Sequence, residues 1–186
     1  MAVTDVLVGS DGIAYVAPVG TDLPTDALAS LDTDFVDLGE ISQDGLESAF
    51  DVSTDTIKNW SGETVKIVKK ETDCTFQLTF LETNKTVLGL FYGADVESVD
   101  GGAGPDSSKI LLTAGTLTEM ALIIVVTDAG SDRLKRYVLP RVVVSDRDKV
   151  SDKNDEAAAY QMTFTALYDD TLGGLGVIQF DTDLTA

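Results

Sequence analysis

Cys74-Thr75-Phe76-Gln77-Leu78-Thr79-Phe80 decides how this chain is read. Its apolar side chains fall on every second residue, with Thr75, Gln77 and Thr79 between them. Successive strand residues point to opposite faces, so a period of two predicts a half-buried strand. Tyr160-Gln161-Met162-Thr163-Phe164-Thr165-Ala166 continues in the same alternation to Tyr168. Met120–Val126 has no polar interruption and predicts a strand buried on both faces. Gly12–Val16, Phe35–Leu38, Val142–Val144 and Gly176–Phe180 read as further strands.

One segment departs from this period. In Thr83–Gly93 the apolar residues Val87, Leu90 and Phe91 stand at helical spacing. Thr83 is the expected N-cap, and Gly93 suits the left-handed position after the last turn. A short helix over 84–92 follows. Gly89 lowers its propensity, so it must gain stability by packing Val87, Leu90 and Phe91 onto a sheet. Loops are expected at 20–33, 51–63, 100–108 and 145–156, and no Pro/Ser linker divides the chain. The expectation is a single all-β domain over residues 1–186. Its strand edges must be closed in a barrel, shielded, or joined to those of neighbouring subunits.

Charge narrows the function classes. The 186 residues carry 32 acids against 13 bases, a formal net charge of −19. Residues 1–57 hold twelve acids and no base, and residues 154–186 hold six acids and no base. Such a balance repels nucleic acid and provides no basic binding patch. It also keeps a protein soluble, whatever else it does. Histidine is absent and Cys74 is the one cysteine. That excludes His-based acid–base chemistry, imidazole metal sites, internal disulfides and Cys-rich zinc sites. The start of the chain lacks the pattern of a signal peptide, and the apolar run through Ala121–Val126 is too short to cross a bilayer. No membrane partner and no cofactor are expected, and the free cysteine fits a reducing cytoplasm.

The remaining constellations are weak. The acidic stretch Asp146–Glu156 invites a calcium reading but fails the EF-hand spacing, with Ser151 or Ala157 where glycine is required. Asp169-Asp170 and Asp181/Asp183 are carboxylate pairs with nothing to mark either as catalytic. Gly173-Gly174-Leu175-Gly176 lacks the strand–loop–helix setting of a phosphate site and reads as a tight turn. Trp60, in a polar stretch, is either a local core plug or an anchor at a subunit interface.

Several pieces in order carry a resemblance. They are Ala17-Pro18-Val19-Gly20-Thr21, then Phe35-Val36-Asp37-Leu38-Gly39-Glu40-Ile41-Ser42-Gln43-Asp44-Gly45-Leu46, then Ile57-Lys58-Asn59-Trp60-Ser61-Gly62. Val65–Lys70, Leu81-Glu82-Thr83-Asn84-Lys85 and Leu88-Gly89-Leu90-Phe91-Tyr92-Gly93 complete the series. From Ala17 to Gly93 the chain resembles the major tail tube protein of long-tailed, non-contractile bacteriophages, particularly those of actinobacteria. The C-terminal half matches only in its β character.

The resemblance implies a β-sandwich or open barrel with one short flanking α-helix. It implies rings of six copies, stacked into a hollow tube through which viral DNA passes at ejection. Tape measure, tail tip and tail terminator proteins would be the partners, and the virion tail the location, with assembly in the host cytoplasm. DNA carries one phosphate per roughly 1.7 Å, so a basic lining would hold it. An acidic or neutral lining repels weakly over a Debye length of about 8–10 Å and leaves no sticking point. Glu40, Asp44 and Glu47, with the neutral Thr75, Gln77 and Thr79, are the expected lumen residues. Asp51, Asp55, Lys58 and Trp60 belong to a segment expected to order against the next ring. The rival readings are the inner tube of a contractile tail or secretion system, and a monomeric acidic β-sandwich binding calcium or carbohydrate. A hydrolase using an Asp pair is more remote. No enzymatic activity is expected.

Overall fold

The structure, a computed structural model, describes residues 6–102, 105–113, 117–131, 133–151, 153–154 and 157–181. The elements run β1 (Gly9–Pro18), β2 (Val36–Asp37), β3 (Glu47–Lys58), β4 (Thr64–Phe80), α1 (Lys85–Tyr92), β5 (Val96–Val99), β6 (Ser107–Ile110), β7 (Met120–Asp128), β8 (Leu134–Arg147), β9 (Tyr160–Ala166) and β10 (Val177–Phe180). Strands β5 and β6 pair only with each other. The rest form one antiparallel sheet in the order β2-β1-β7-β8-β9-β4-β3, with β10 also on β8.

Strand β8 folds this sheet on itself. Its first half, Leu134–Leu139, pairs with β7 and with β10, whereas Val142–Arg147 pairs with β9. Pro140 lies between the halves and has no N–H to give a ladder. Between the pairs Met120↔Val142 and Leu122↔Leu139, β8 uses one residue more than β7, which is a bulge. The extra residue reverses the faces: Tyr137 and Leu139 reach the core before it, Val142 and Val144 after it. The two halves then close on each other. Phe76 of β4 meets Tyr137 edge-to-face, with ring centroids 5.4 Å apart. A single core of alternate residues fills the space, including Ala14, Val16, Leu78, Phe80, Leu122, Ile124, Met162 and Phe164. This is the sandwich-like open barrel that the resemblance implied.

Met120–Ile124 is buried on both faces, as its sequence predicts. Leu122 and Ile124 enter the core; the other face lies under the segment 20–35. Arg136 pins that segment, donating from Nη1 to the Asp26 and Ala29 carbonyls at 2.9 Å each. Gln179 donates to the Pro24 carbonyl at 3.0 Å. The Asp26 carboxylate accepts the N–H groups of Leu28 and Ala29, and these bonds hold its carboxyl below the usual range. Its contribution is present above the unfolded carboxyl pKa, about 3.9, and is lost as pH falls through the lower folded value.

Helix α1 forms where the 3.6 period placed it, and Val87 and Phe91 are its buried residues. Its N-cap is Asn84 rather than Thr83. Asn84 Oδ1 accepts the Val87 N–H at 2.8 Å, while Thr83 Oγ1 turns to the Tyr160 hydroxyl at 3.3 Å. Gly93, at φ 63°, closes the C-terminus as expected. Three loop expectations fail in part, the first at 145–147, which end β8. Residues 51–58 are strand, because β4 supplies their ladder partners. Ser107 and Ser108 belong to β6, part of a small hairpin whose short, mostly polar strands show no period.

Replacing Arg136 with Met leaves the part-buried Asp26 and Ala29 carbonyls without their donor. It should lower unfolding free energy by about 2–3 kcal/mol, read as a reduced urea midpoint at constant slope. An unchanged midpoint would mean that segment 20–35 is held by other contacts.

Candidate functional site

The β3–β4 hairpin leaves the body. Strand β9 covers only Thr75–Phe80 of β4, and from Cys74 to Thr64 the partner of β4 is β3. Eleven residues at about 3.3 Å each make a ribbon roughly 35 Å long. Every residue from Glu47 to Glu71 is exposed. The ribbon nonetheless carries Phe50, Val52, Ile57, Val65, Ile67 and Val68. A two-stranded hairpin alone in water is marginally stable at best, and exposed apolar surface of this extent marks an interaction site.

Its two faces differ, and the register shows how. On the face that continues the core, Phe50 stands opposite Cys74 and Val52 opposite Thr72. On the other face Ala49 stands opposite Thr75, Asp51 opposite Asp73, and Ser53 opposite Glu71. Directly opposed carboxylates destabilise a strand pair. The Lys70–Asp55 pair, at 3.6 Å and largely exposed, offsets little of this. A bulge after Ser53 gives β4 one extra residue, next to where this pair forms.

The tip is tightly built. Gly62, at φ 85°, donates to the Asn59 carbonyl at 3.0 Å, and Asn59 N–H donates to the Glu63 carbonyl at 2.9 Å. The Asn59 side chain accepts the Glu63 N–H at 2.9 Å and donates to its carboxylate at 2.8 Å. These bonds present Trp60, the sole tryptophan, fully to solvent. It is not a core plug. Burying it elsewhere is worth on the order of 3 kcal/mol.

The acidic face of the ribbon runs into a neutral polar face on the body. Thr75, Gln77 and Thr79 alternate with core residues and pair in register with Thr165, Thr163 and Gln161 of β9. Thr165 Oγ1 donates to Ser145 Oγ at 2.7 Å, which extends the face onto β8. Glu47 stands opposite Gln77. Four of the six expected lumen residues, Glu47, Thr75, Gln77 and Thr79, therefore share a face. Glu40 borders β4 at Leu81, whose N–H its carbonyl accepts at 2.9 Å. Asp44 stands apart, in a turn beside Gly9–Gly12. Asp51, Asp55, Lys58 and Trp60 all lie on the ribbon, with Asp51 on its acidic face. Gln161, Thr163, Thr165, Glu71 and Asp73 were not singled out from sequence. The β9 residues alternate just as Thr75–Thr79 do, but only the strand order makes the two rows neighbours.

Other chemistry has little basis. Burial pushes the Cys74 thiol up, away from reactive thiolate. Asp169 Oδ1 accepts the Leu172 N–H at 2.8 Å, and Gly173 at φ 70° completes the expected tight turn. Asp183, and Asp152, Asp155 and Glu156 of the acidic stretch, lie outside the described residues. Among the described residues no three His, Cys, Asp or Glu side chains are grouped to hold a metal, and no helix is long and apolar enough to cross a membrane.

The body is a curled antiparallel sheet, and its hairpin is left uncovered by the other described residues. The chain belongs to a family described as phage tail tube protein, whose model matches residues 1–184. Its fold is similar to a chain in the sheath–tube complex of an extracellular contractile injection system, PVC, in the extended state. That likeness has a TM-score of 0.50 at 8% identity and covers 95% of this chain and 93% of the other. A chain of the anti-feeding prophage tube-terminating cap aligns at TM-score 0.47 and 13% identity, over 96% of this chain and 99% of that one. A chain of the native gene transfer agent virion aligns at 0.45 and 9%, over 95% and 100%. No curated protein matches significantly in sequence. The protein is thus a structural component of a viral tail tube.

Since Ser53 and Glu71 face each other, excising 54–70 and joining them by Asn-Gly should leave the body intact. Its unfolding free energy should stay within about 0.5 kcal/mol of wild type by urea titration. A larger loss would show that the ribbon supports the body.

Proposed function

We propose that six copies of this chain close into a ring, and that rings stack into the hollow tail tube through which viral DNA passes at ejection. The observation that carries this reading is the β3–β4 ribbon: up to the bulge at Ser53 it is apolar on one face and acidic on the other, and no other described residue covers it. A tail tube protein must offer surface to its own copies, and a ribbon that gains stability only on assembly does so.

The lumen is best lined by the face that begins at Glu47, Thr75, Gln77 and Thr79 and continues through Gln161, Thr163 and Thr165. Hydroxyls and amides neither neutralise phosphates nor release counterions, so DNA gains no affinity in passing. Carboxylates at Glu47, Asp51, Glu71 and Asp73 would repel it weakly. Glu40 is kept as a lumen residue at the margin of this face; Asp44 fits better in a contact between subunits. Asp55, Lys58 and Trp60 would contact the neighbouring ring. Tape measure, tail tip and terminator proteins are the further partners, with assembly in the host cytoplasm and no catalysis.

The series of pieces between Ala17 and Gly93 favours a non-contractile tail. The second reading, the tube inside a contractile sheath, is favoured by the fold shared with the PVC chain. A sheath gene beside the gene for this chain would select it.

Negative-stain microscopy of concentrated purified protein should show hollow filaments of uniform width. Particles that stay monomeric under all assembly conditions would refute the tube. With Glu40→Lys and Glu47→Lys combined, tubes should still form but ejection should slow. Unchanged infectivity would count against these lumen positions.

A further inference from the structure

We propose that Trp60 of one copy seats in the cavity of about 420 Å³ between β1, β7 and the turn at 42–45 of another copy. This rests on the tube reading and adds the receptor. Ile41, Leu46 and Val126 line the cavity with partly exposed apolar side chains, over a floor of the buried Leu78, Ile124 and Tyr137. Phe76, packed edge-to-face 5.4 Å away, and the Lys135 amino group, 4.5 Å over the ring, hold Tyr137 in place. The volume admits an indole, and an aromatic side chain in an apolar pocket is the commonest form of interface anchor.

The charges match. The charged residues lining the cavity are Asp11 and Asp44, while Lys135 is held over the Tyr137 ring. Trp60 stands between Lys58 and Lys66, and Glu63, the acid of the turn, is bonded back onto Asn59. A basic collar around an aromatic knob meets an acidic rim around an apolar hole. The knob cannot fill its own hole. Leu78 and Thr64 lie on one strand, 14 residues apart. That is roughly 45 Å of extended chain, so a second copy must supply the tip.

The sole tryptophan reports its own burial. In wild-type protein, Trp60 emission should move from that of water-exposed indole to shorter wavelength as tubes form. Trp60→Ala, at a position that is fully exposed in the free chain, should raise the concentration needed for assembly about tenfold or more. Asp11→Lys with Asp44→Lys should block assembly, and adding Lys58→Asp with Lys66→Asp should restore it. Circular dichroism checks the folding of each; if the charge variants do not fold, Trp60→Ala and the wild-type emission decide.

Tubes whose emission stays that of exposed indole overturn the pocket and leave the tube standing. A shift that survives both rim substitutions places Trp60 in a different contact and likewise overturns it. Wild-type protein that never forms tubes overturns both readings.

Discussion

An antiparallel ribbon of two strands is marginally stable at best in water, and the rest of this structure depends on that fact. It orders backbone at a cost of roughly 1–2 kcal/mol per residue and in return closes only one ladder. Here the outer edge of β3 has no partner among the described residues, both faces are wet, and Asp51 opposes Asp73. Strand pairs gain most from packing a face, and this one has no face to pack on. In the proposed tube the missing stabilisation comes from other copies. That makes assembly a thermodynamic completion of the fold rather than an association of finished parts.

The body is organised to hold this ribbon out. The bulge at Pro140 turns β8 so that one strand serves both halves of the sheet and one core serves both. β4 is anchored at its C-terminal end, where Phe76, Leu78 and Phe80 are buried and β9 pairs alongside. Its other end is free. The same pleat that sends these three residues inward sends Thr75, Gln77 and Thr79 outward, so the neutral face and the core are two sides of one alternation. Continued along the ribbon, that alternation separates Phe50 and Val52 from Asp51 and Ser53. Adhesion and repulsion are thereby assigned to opposite faces of one element.

Much of the body was legible from local pattern. The β4, β7 and β9 strands, the helix and the turn before β10 all appear where period and turn residues put them. The ribbon was not. Lys58-Asn59-Trp60-Ser61-Gly62 is mostly polar, and Val52 and Ile57, the large apolar residues of 51–58, fall on opposite sides of a period of two, so 51–63 read as a loop. Thr83 and Asn84 are both good caps, and the choice turned on the Tyr160 hydroxyl, which lies 77 residues away. Of the proposed lumen residues, Glu47, Thr75, Gln77 and Thr79 came to share one face. Asp44 did not, because the turn at Ser42–Gly45 carries it off the strand.

By itself the sequence determined the all-β class, the helix, the acidic ends, and the absence of histidine chemistry. Each follows from composition or from periods of two and 3.6 residues, which need only near neighbours. Tertiary structure alone decided which strands adjoin, that β8 bends, that Gln161, Thr163 and Thr165 extend the polar face, and that a ribbon stands clear of the body. Those features depend on contacts between residues far apart in the chain, and no local period encodes them.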